Sequence, residues 1–224
     1  MPRLEQFATF FGLAFSALLP LVNPLGSALV FVGLVGDAPS AVYRTLARKI
    51  AINTVLFFLI IQAVGTAVLK FFGISLPVVQ VAGGLAIASM GWGLLNGKES
   101  SGKQTVSEFD DHAFNSLRKK TFYPFTFPVT AGPGSLVATI TLSAHTPAKG
   151  FILDLSAHLG IMAAAVVLSV GVYFCYGYAP AITARISKQT AEGITRVIAF
   201  VLLCIGAQIM WNGIAILLKS VLHV

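Results

Sequence analysis

Pro20-Leu21-Val22-Asn23-Pro24-Leu25-Gly26-Ser27 is a helix-breaking stretch inside an apolar run, and the chain carries a second one. The partner is Pro128-Val129-Thr130-Ala131-Gly132-Pro133-Gly134-Ser135. An offset of 108 positions carries Pro20 onto Pro128, Gly26 onto Gly134, Ser27 onto Ser135, and Pro39 onto Pro147 where each segment ends. Proline removes a backbone donor and clashes with the preceding turn, and glycine loses more entropy than any other residue on ordering. In lipid, such a break is tolerated only where protein surrounds it or where it lines a cavity. Matched breaks in two halves of a chain are a sequence pointer to a transporter binding site.

Working outward, hydrophobic residues make up 56% of the chain and charged residues 10%. A soluble domain is nearer one quarter charged, so this composition places the chain in a lipid bilayer. Six apolar segments can be marked, at about 7–35, 50–72, 76–96, 122–144, 152–177 and 195–218. A straight helix over 7–35 would be about 44 Å long at ~1.5 Å per residue, too long for a ~30 Å hydrocarbon core. A break near Asn23-Pro24 followed by a half-helix or re-entrant piece explains the excess; strong tilt is the alternative. The N-terminus resembles a signal peptide, with Arg3 and a small-residue stretch at Ala14-Phe15-Ser16-Ala17. Cleavage there would cut the unit that has a partner in the second half, so we read it as a retained span.

The polar stretch Asn96–Lys120 divides the chain into a three-segment half (1–96), a polar linker (97–120) and a second three-segment half (121–224). The expected fold is therefore an all-α membrane protein of six transmembrane segments, the first and fourth broken. Basic residues assign its orientation. Arg3, Lys70, Lys149 and Lys219 fall on one side; Arg44, Arg48, Lys49, Lys98, Lys103, Arg118, Lys119, Lys120, Arg185, Lys188 and Arg196 fall on the other. The positive-inside rule makes the richer side cytoplasmic and places both termini outside. Three spans per half then insert the halves in opposite senses, as an inverted repeat. The net charge of +7 reflects these loops rather than one basic patch, so nucleic acid is not an expected partner.

The breaks supply the candidate site. Asn23, Pro24, Gly26 and Ser27 face Thr130, Gly132, Pro133, Gly134 and Ser135 in this reading. Each helix that follows a break begins with free N–H groups and the positive end of its dipole, which favour a carboxylate. The preceding helix ends in free carbonyls suited to an ammonium group. The glycines allow a ligand close to the backbone. Such a site fits a small zwitterion; a packing kink is the competing explanation. Asp154 and His158 share a helix face and form a candidate proton relay or an interfacial ion pair near Lys149. Asn53, Gln62 and Gln208 are expected to bond between helices. Gln80 and Asn212 are further polar residues in apolar segments, and His112, His145 and His223 read as loop or terminal residues. Gly83, Gly84, Gly91 and Gly93 are expected at close helix contacts, and Trp92 and Trp211 at the bilayer interface. Cys175 and Cys204 read as buried, inert thiols. No catalytic motif, metal spacing or cofactor motif is present in the sequence.

Asn23-Pro24-Leu25-Gly26 together with Phe127-Pro128-Val129-Thr130-Ala131-Gly132-Pro133-Gly134 resembles the two signature motifs of the MarC family. The likeness covers essentially the whole chain. It implies an inner-membrane protein of bacterial type; SnatA-like members are described as small neutral amino acid transporters. It therefore implies a secondary transporter of glycine, alanine or similar substrates, coupled to protons. The family's first motif usually has a proline three residues after its glycine, where this chain has Leu29; the second break is thus the one expected to be more open. A channel-like pore and a non-transporting membrane scaffold are the alternative functions.

Overall fold

The structure, a computed structural model, describes residues 2–36, 38–96, 111–146, 150–185 and 188–222. Every regular element among them is helical. In chain order these are α1 (Pro2–Val22), α2 (Pro24–Val35), α3 (Ser40–Phe71), α4 (Leu76–Asn96) and α5 (Asp111–Lys119). A wide-turn π-type segment (Thr121–Thr130) follows, then α6 (Pro133–Ala144), α7 (Phe151–Gly177), α8 (Ala179–Arg185) and α9 (Lys188–Leu222). Helices follow from the composition, because hydrocarbon offers a backbone N–H or C=O no partner outside its own segment.

Five runs are long and apolar enough to cross a bilayer: Pro2–Val35, Ser40–Phe71, Leu76–Gly93, Phe151–Gly177 and Arg196–Leu222. The π-type segment and α6, bent by 69° at their junction, make a sixth if they cross as one span. Five of the segments expected from sequence fall on the five runs, and the fourth falls on the bent pair. Of the expected linker, α5 occupies the end. Lys98, Glu99, Lys103, Glu108 and Asp110 lie outside the described residues, as do Pro147, Lys149 and His223. Pro39 stands where expected, as the N-cap of α3.

The most extensive pairings are α4 with α9, and α7 with both α1 and α3. Lipid tails are as apolar as leucine, so these contacts depend on close packing rather than on escape from water. Glycine makes the α4–α9 approach possible. A Cβ on Gly206 would lie 2.6 Å from the Gly84 carbonyl oxygen, and one on Gly213 would lie 2.6 Å from that of Pro77. One on Gly91 would lie 2.7 Å from the carbonyl of Ala199. Gly83 packs on Val137 of α6, whereas Gly93 has open space and is not a packing glycine. Gly160 does the same for α1 and α7, with the Phe7 carbonyl 2.5 Å from a built Cβ. Trp92 and Trp211 are each 61% exposed. Cys175 is half-buried and Cys204 is exposed on α9, which corrects the expectation that both thiols are buried.

Candidate functional site

The two breaks are built differently. At the first, Asn23 adopts the left-handed conformation (φ 43°, ψ 66°) and its side chain accepts the Gly26 N–H at 3.1 Å. Pro24 takes the first helical position, where its missing N–H costs nothing. A Cβ on Gly26 would overlap the Asn23 side chain, so the glycine is required by the cap itself. Asn23 is thus a helix cap, and α1 and α2 continue as one 34-residue span.

At the second break, Pro124 and Pro128 deprive the preceding turns of donors. Threonine hydroxyls take over. Thr126 donates to the Thr121 carbonyl and Thr130 to the Phe125 carbonyl, each at 2.7 Å and each five residues back. The Ala131 N–H reaches Thr126 with the same spacing, at 2.8 Å. Tyr123 and Phe127 are extended within this segment (φ −118°, ψ 125° and φ −119°, ψ 128°), so the five-residue bonds close separate wide turns rather than a continuous helix, and side chains re-satisfy a backbone that proline has interrupted. Gly132 is then extended and Pro133 opens α6 without any side-chain cap. The second break carries the sharp bend and a helix start without a side-chain cap. Thr130, Gly132, Gly134 and Ser135 are nevertheless buried, while Asn23, Pro24 and Gly26 are only partly so, and the second break is therefore not the more open of the two, contrary to the expectation from Leu29.

The fold brings the breaks together. Ser27 Oγ lies 3.1 Å from the Val129 carbonyl and 2.9 Å from that of Val22. Thr130 Oγ1 is 2.8 Å from the Tyr176 hydroxyl of α7. Ser27, Thr130 and Tyr176 are all buried. An aromatic cluster continues from this contact toward the α2–α3 connection. Phe31 stacks on Tyr176 (4.5 Å between centroids) and meets Phe125 and Tyr43 edge-on at 5.2 and 5.6 Å. Tyr43 donates to the Gly36 carbonyl at 2.7 Å.

Gly134 faces the other way, onto Ile87 of α4 and Leu21 of α1. Ser135 bonds locally to the Gly132 carbonyl at 2.9 Å. Of the residues singled out from sequence, Ser27 therefore bonds across to the second break and Thr130 bonds to α7, while Asn23 and Ser135 serve their own turns. Asp154 and His158 pair with each other at 3.5 Å and are 43% and 31% exposed. They lie about 27 Å along α7 from Tyr176, at ~1.5 Å per residue, so they do not join the breaks. Gln62 bonds across helices to the His158 carbonyl at 2.8 Å, as expected. Gln208 instead bonds Asn212 of its own helix at 2.9 Å, against the expectation of an interhelical partner. Tyr176, Phe31, Phe125 and Ile87 were not singled out in the sequence; only a hydroxyl within an otherwise apolar run marked Tyr176.

The model of the MarC family integral membrane proteins matches residues 8–218, which spans both breaks and most of every candidate membrane segment. The chain belongs to the MarC family. Among its relatives is the inner membrane protein MarC of Salmonella paratyphi B, 30% identical over 216 residues, covering 93% of this chain and 96% of that one. The proteins of the same name from Citrobacter koseri and Escherichia coli O1:K1 are 30% identical over 219 residues, with the same coverage. No solved structure matches the chain. It is an integral membrane protein of this family, with its two breaks in mutual contact.

Proposed function

We propose that this protein is a secondary transporter of small neutral amino acids, such as glycine and alanine, in the inner membrane. The observation that carries the reading is the contact between the two breaks, made by Ser27 with the Val129 carbonyl across 102 residues of sequence. Breaks that served only to kink their own helices would have no reason to meet. Substrate binds between residues 23–27 and 130–135. Its carboxylate is taken by the uncapped first turn of α6, where Pro133 and Gly134 leave the helix start unobstructed by a cap. Ser27 and Thr130 supply hydrogen bonds beside it.

The packing of α4 on α9 supports the inverted repeat that alternating access needs. An offset of 122 positions carries Pro77 to Ala199, Gly84 to Gly206 and Gly91 to Gly213. The contacts are Pro77 with Gly213, Gly84 with Gly206, and Gly91 with Ala199. Residue i thus meets the equivalent of j while j meets the equivalent of i, the pattern of an isologous interface about a two-fold axis. Gly84 and Gly206 sit on that axis. The offset exceeds the 108 positions at the breaks because α8 intervenes between α7 and α9. Six spans with both termini outside follow from the basic-residue count.

In this conformation the aromatic cluster of Phe31, Tyr43, Phe125 and Tyr176 closes the cytoplasmic side of the breaks. Alternating access moves one half against the other about this point. Uptake of radiolabelled glycine and alanine into proteoliposomes, with and without an imposed pH gradient, tests the proposal. Saturable flux above empty liposomes is expected, increased by an inward proton gradient. No flux for any small neutral amino acid would overturn it.

A further inference from the structure

An open-mouthed cavity of about 500 Å³ lies between α4, α6 and α9, away from the breaks, with Gln80, Thr141, His145 and the exposed Asn212 among its lining residues. That volume is within the ~300–1,000 Å³ range of small-molecule sites. Gln80 is 5% exposed, yet its Oε1 has no hydrogen-bond partner, and neither has Thr141 Oγ1. An unpaired buried polar atom is costly, and native proteins keep few without a purpose. Polar side chains on membrane helices are likewise retained where a substrate path requires them.

The chemistry of the lining is specific. His145 Nδ1 lies 2.7 Å from the Thr141 carbonyl, which can only accept, so Nδ1 carries a proton and Nε2 presents a lone pair whenever the ring is neutral. Asn212 Oδ1 accepts from Gln208, which leaves the Asn212 amide N–H groups to donate. The cavity therefore offers acceptors at Gln80 Oε1 and His145 Nε2, donors at Asn212, and a Thr141 hydroxyl able to do either. Among the described residues, no carboxylate, lysine or arginine lines it. A lone ion would be left without a counter-charge there. A zwitterion carries its own, with an ammonium for the acceptors and a carboxylate for the donors.

The cavity also leads to the break. Along the α4–α6 seam, Gln80 and Thr141 line the cavity, Gly83 packs on Val137, and Ile87 packs on Gly134. Thr141 is about 10 Å along α6 from Gly134 at ~1.5 Å per residue. Ile87, 1% exposed, is the side chain between the seam and the second break.

We infer that this cavity is an outer binding site for the transported amino acid, from which substrate passes along the α4–α6 seam when Ile87 moves aside. The inference rests on the transport reading above. It is tested by substituted-cysteine accessibility in a Cys175→Ala/Cys204→Ala background, with a membrane-impermeant thiol reagent applied from outside. Thr141→Cys and Asn212→Cys are expected to react, and alanine to slow both reactions several-fold. Leu59→Cys, on the lipid-exposed face of α3, is expected not to react. In the native cysteine background, Gln80→Leu is expected to raise the KM of alanine uptake about fivefold with little change in kcat, the scale of one lost hydrogen bond.

Absence of labelling at both positions, or labelling that no neutral amino acid slows, would overturn the outer site. A disulfide dimer formed through Asn212→Cys would do the same and assign this face to a second copy. If wild-type protein transports alanine while the cavity is unprotected, the outer site fails and the transport reading stands. If alanine protects the cavity and no flux occurs, binding at the cavity stands and the transport reading falls.

Discussion

Gly134→Ala probes how the second break is held shut. The added methyl would overlap Ile87 Cγ1, and it would lie 2.9 Å from Ile87 Cδ1 and 3.1 Å from Leu21 Cδ2. Both neighbours are anchored on helices, and Ile87 is fully buried, so neither can retreat alone. Overpacking of this kind costs about 1–3 kcal/mol. Alanine recovers part of that, since it is a better helix former than glycine by ~1 kcal/mol. The net destabilisation is therefore expected at about 0–2 kcal/mol. Ile87→Ala alone leaves a void and costs about 2–5 kcal/mol. The double variant puts a methyl where the isoleucine branch was, so its cost is expected to fall at least ~1 kcal/mol below the sum of the singles. Equilibrium unfolding of the four proteins in detergent micelles titrated with sodium dodecyl sulfate measures this cycle. Single effects that add to within about 0.5 kcal/mol would show that the two side chains do not compete for one space. The account of Ile87 as the closing residue would then be wrong.

Other expectations follow from the same geometry. Gly206→Ala places a methyl against the backbone of α4, whereas Gly193→Ala on the same helix meets nothing. Thermal unfolding should show the first strongly destabilised and the second neutral or slightly stabilised. Asn23→Ala loses the cap on Gly26 and puts alanine at positive φ, for a cost of about 1–3 kcal/mol. Asn23→Gly should cost clearly less, because glycine accepts that conformation; the reverse order by chemical unfolding would contradict the cap assignment. Thr130→Val leaves the Phe125 carbonyl and the Tyr176 hydroxyl without their shared partner, for about 1–3 kcal/mol. Tyr176→Phe keeps the stack on Phe31 and should cost less, which the same unfolding assay compares.

The breaks were legible in sequence because their causes are local. Proline at 20, 24, 128 and 133 and glycine at 26, 132 and 134 act on their own turns whatever surrounds them. Segment positions were legible for the same reason, since length and apolarity alone set them. The partners of the breaks were not. Tyr176 meets Thr130 from 46 residues away, and nothing in the apolar run of α7 marks which face it presents. Ile87 lies in a helix that is apolar all round, so no periodicity separates its packed face from its lipid face. Gln80, Thr141, His145 and Asn212 come from three separate helices, and each alone reads as an isolated polar residue or a loop histidine. Only the antiparallel register of α4 with α6, and of α4 with α9, gathers them around one cavity. Gln208 shows the converse: sequence marks the polar group, but its bond to Asn212 on its own helix depends on the face that α9 turns outward.

The central claim is that substrate binds where the two breaks meet and is carried by alternating access. Counterflow tests it most directly. Proteoliposomes preloaded with unlabelled alanine and diluted into a trace of labelled alanine should accumulate label transiently above equilibrium. Gly134→Leu, whose side chain would wedge α6 away from Ile87 and Leu21 at the second break, should abolish the overshoot in protein that remains folded. Label that enters without overshoot and in linear proportion to concentration would mark a pore, and no entry above empty liposomes for any small neutral amino acid would remove transport from the account altogether.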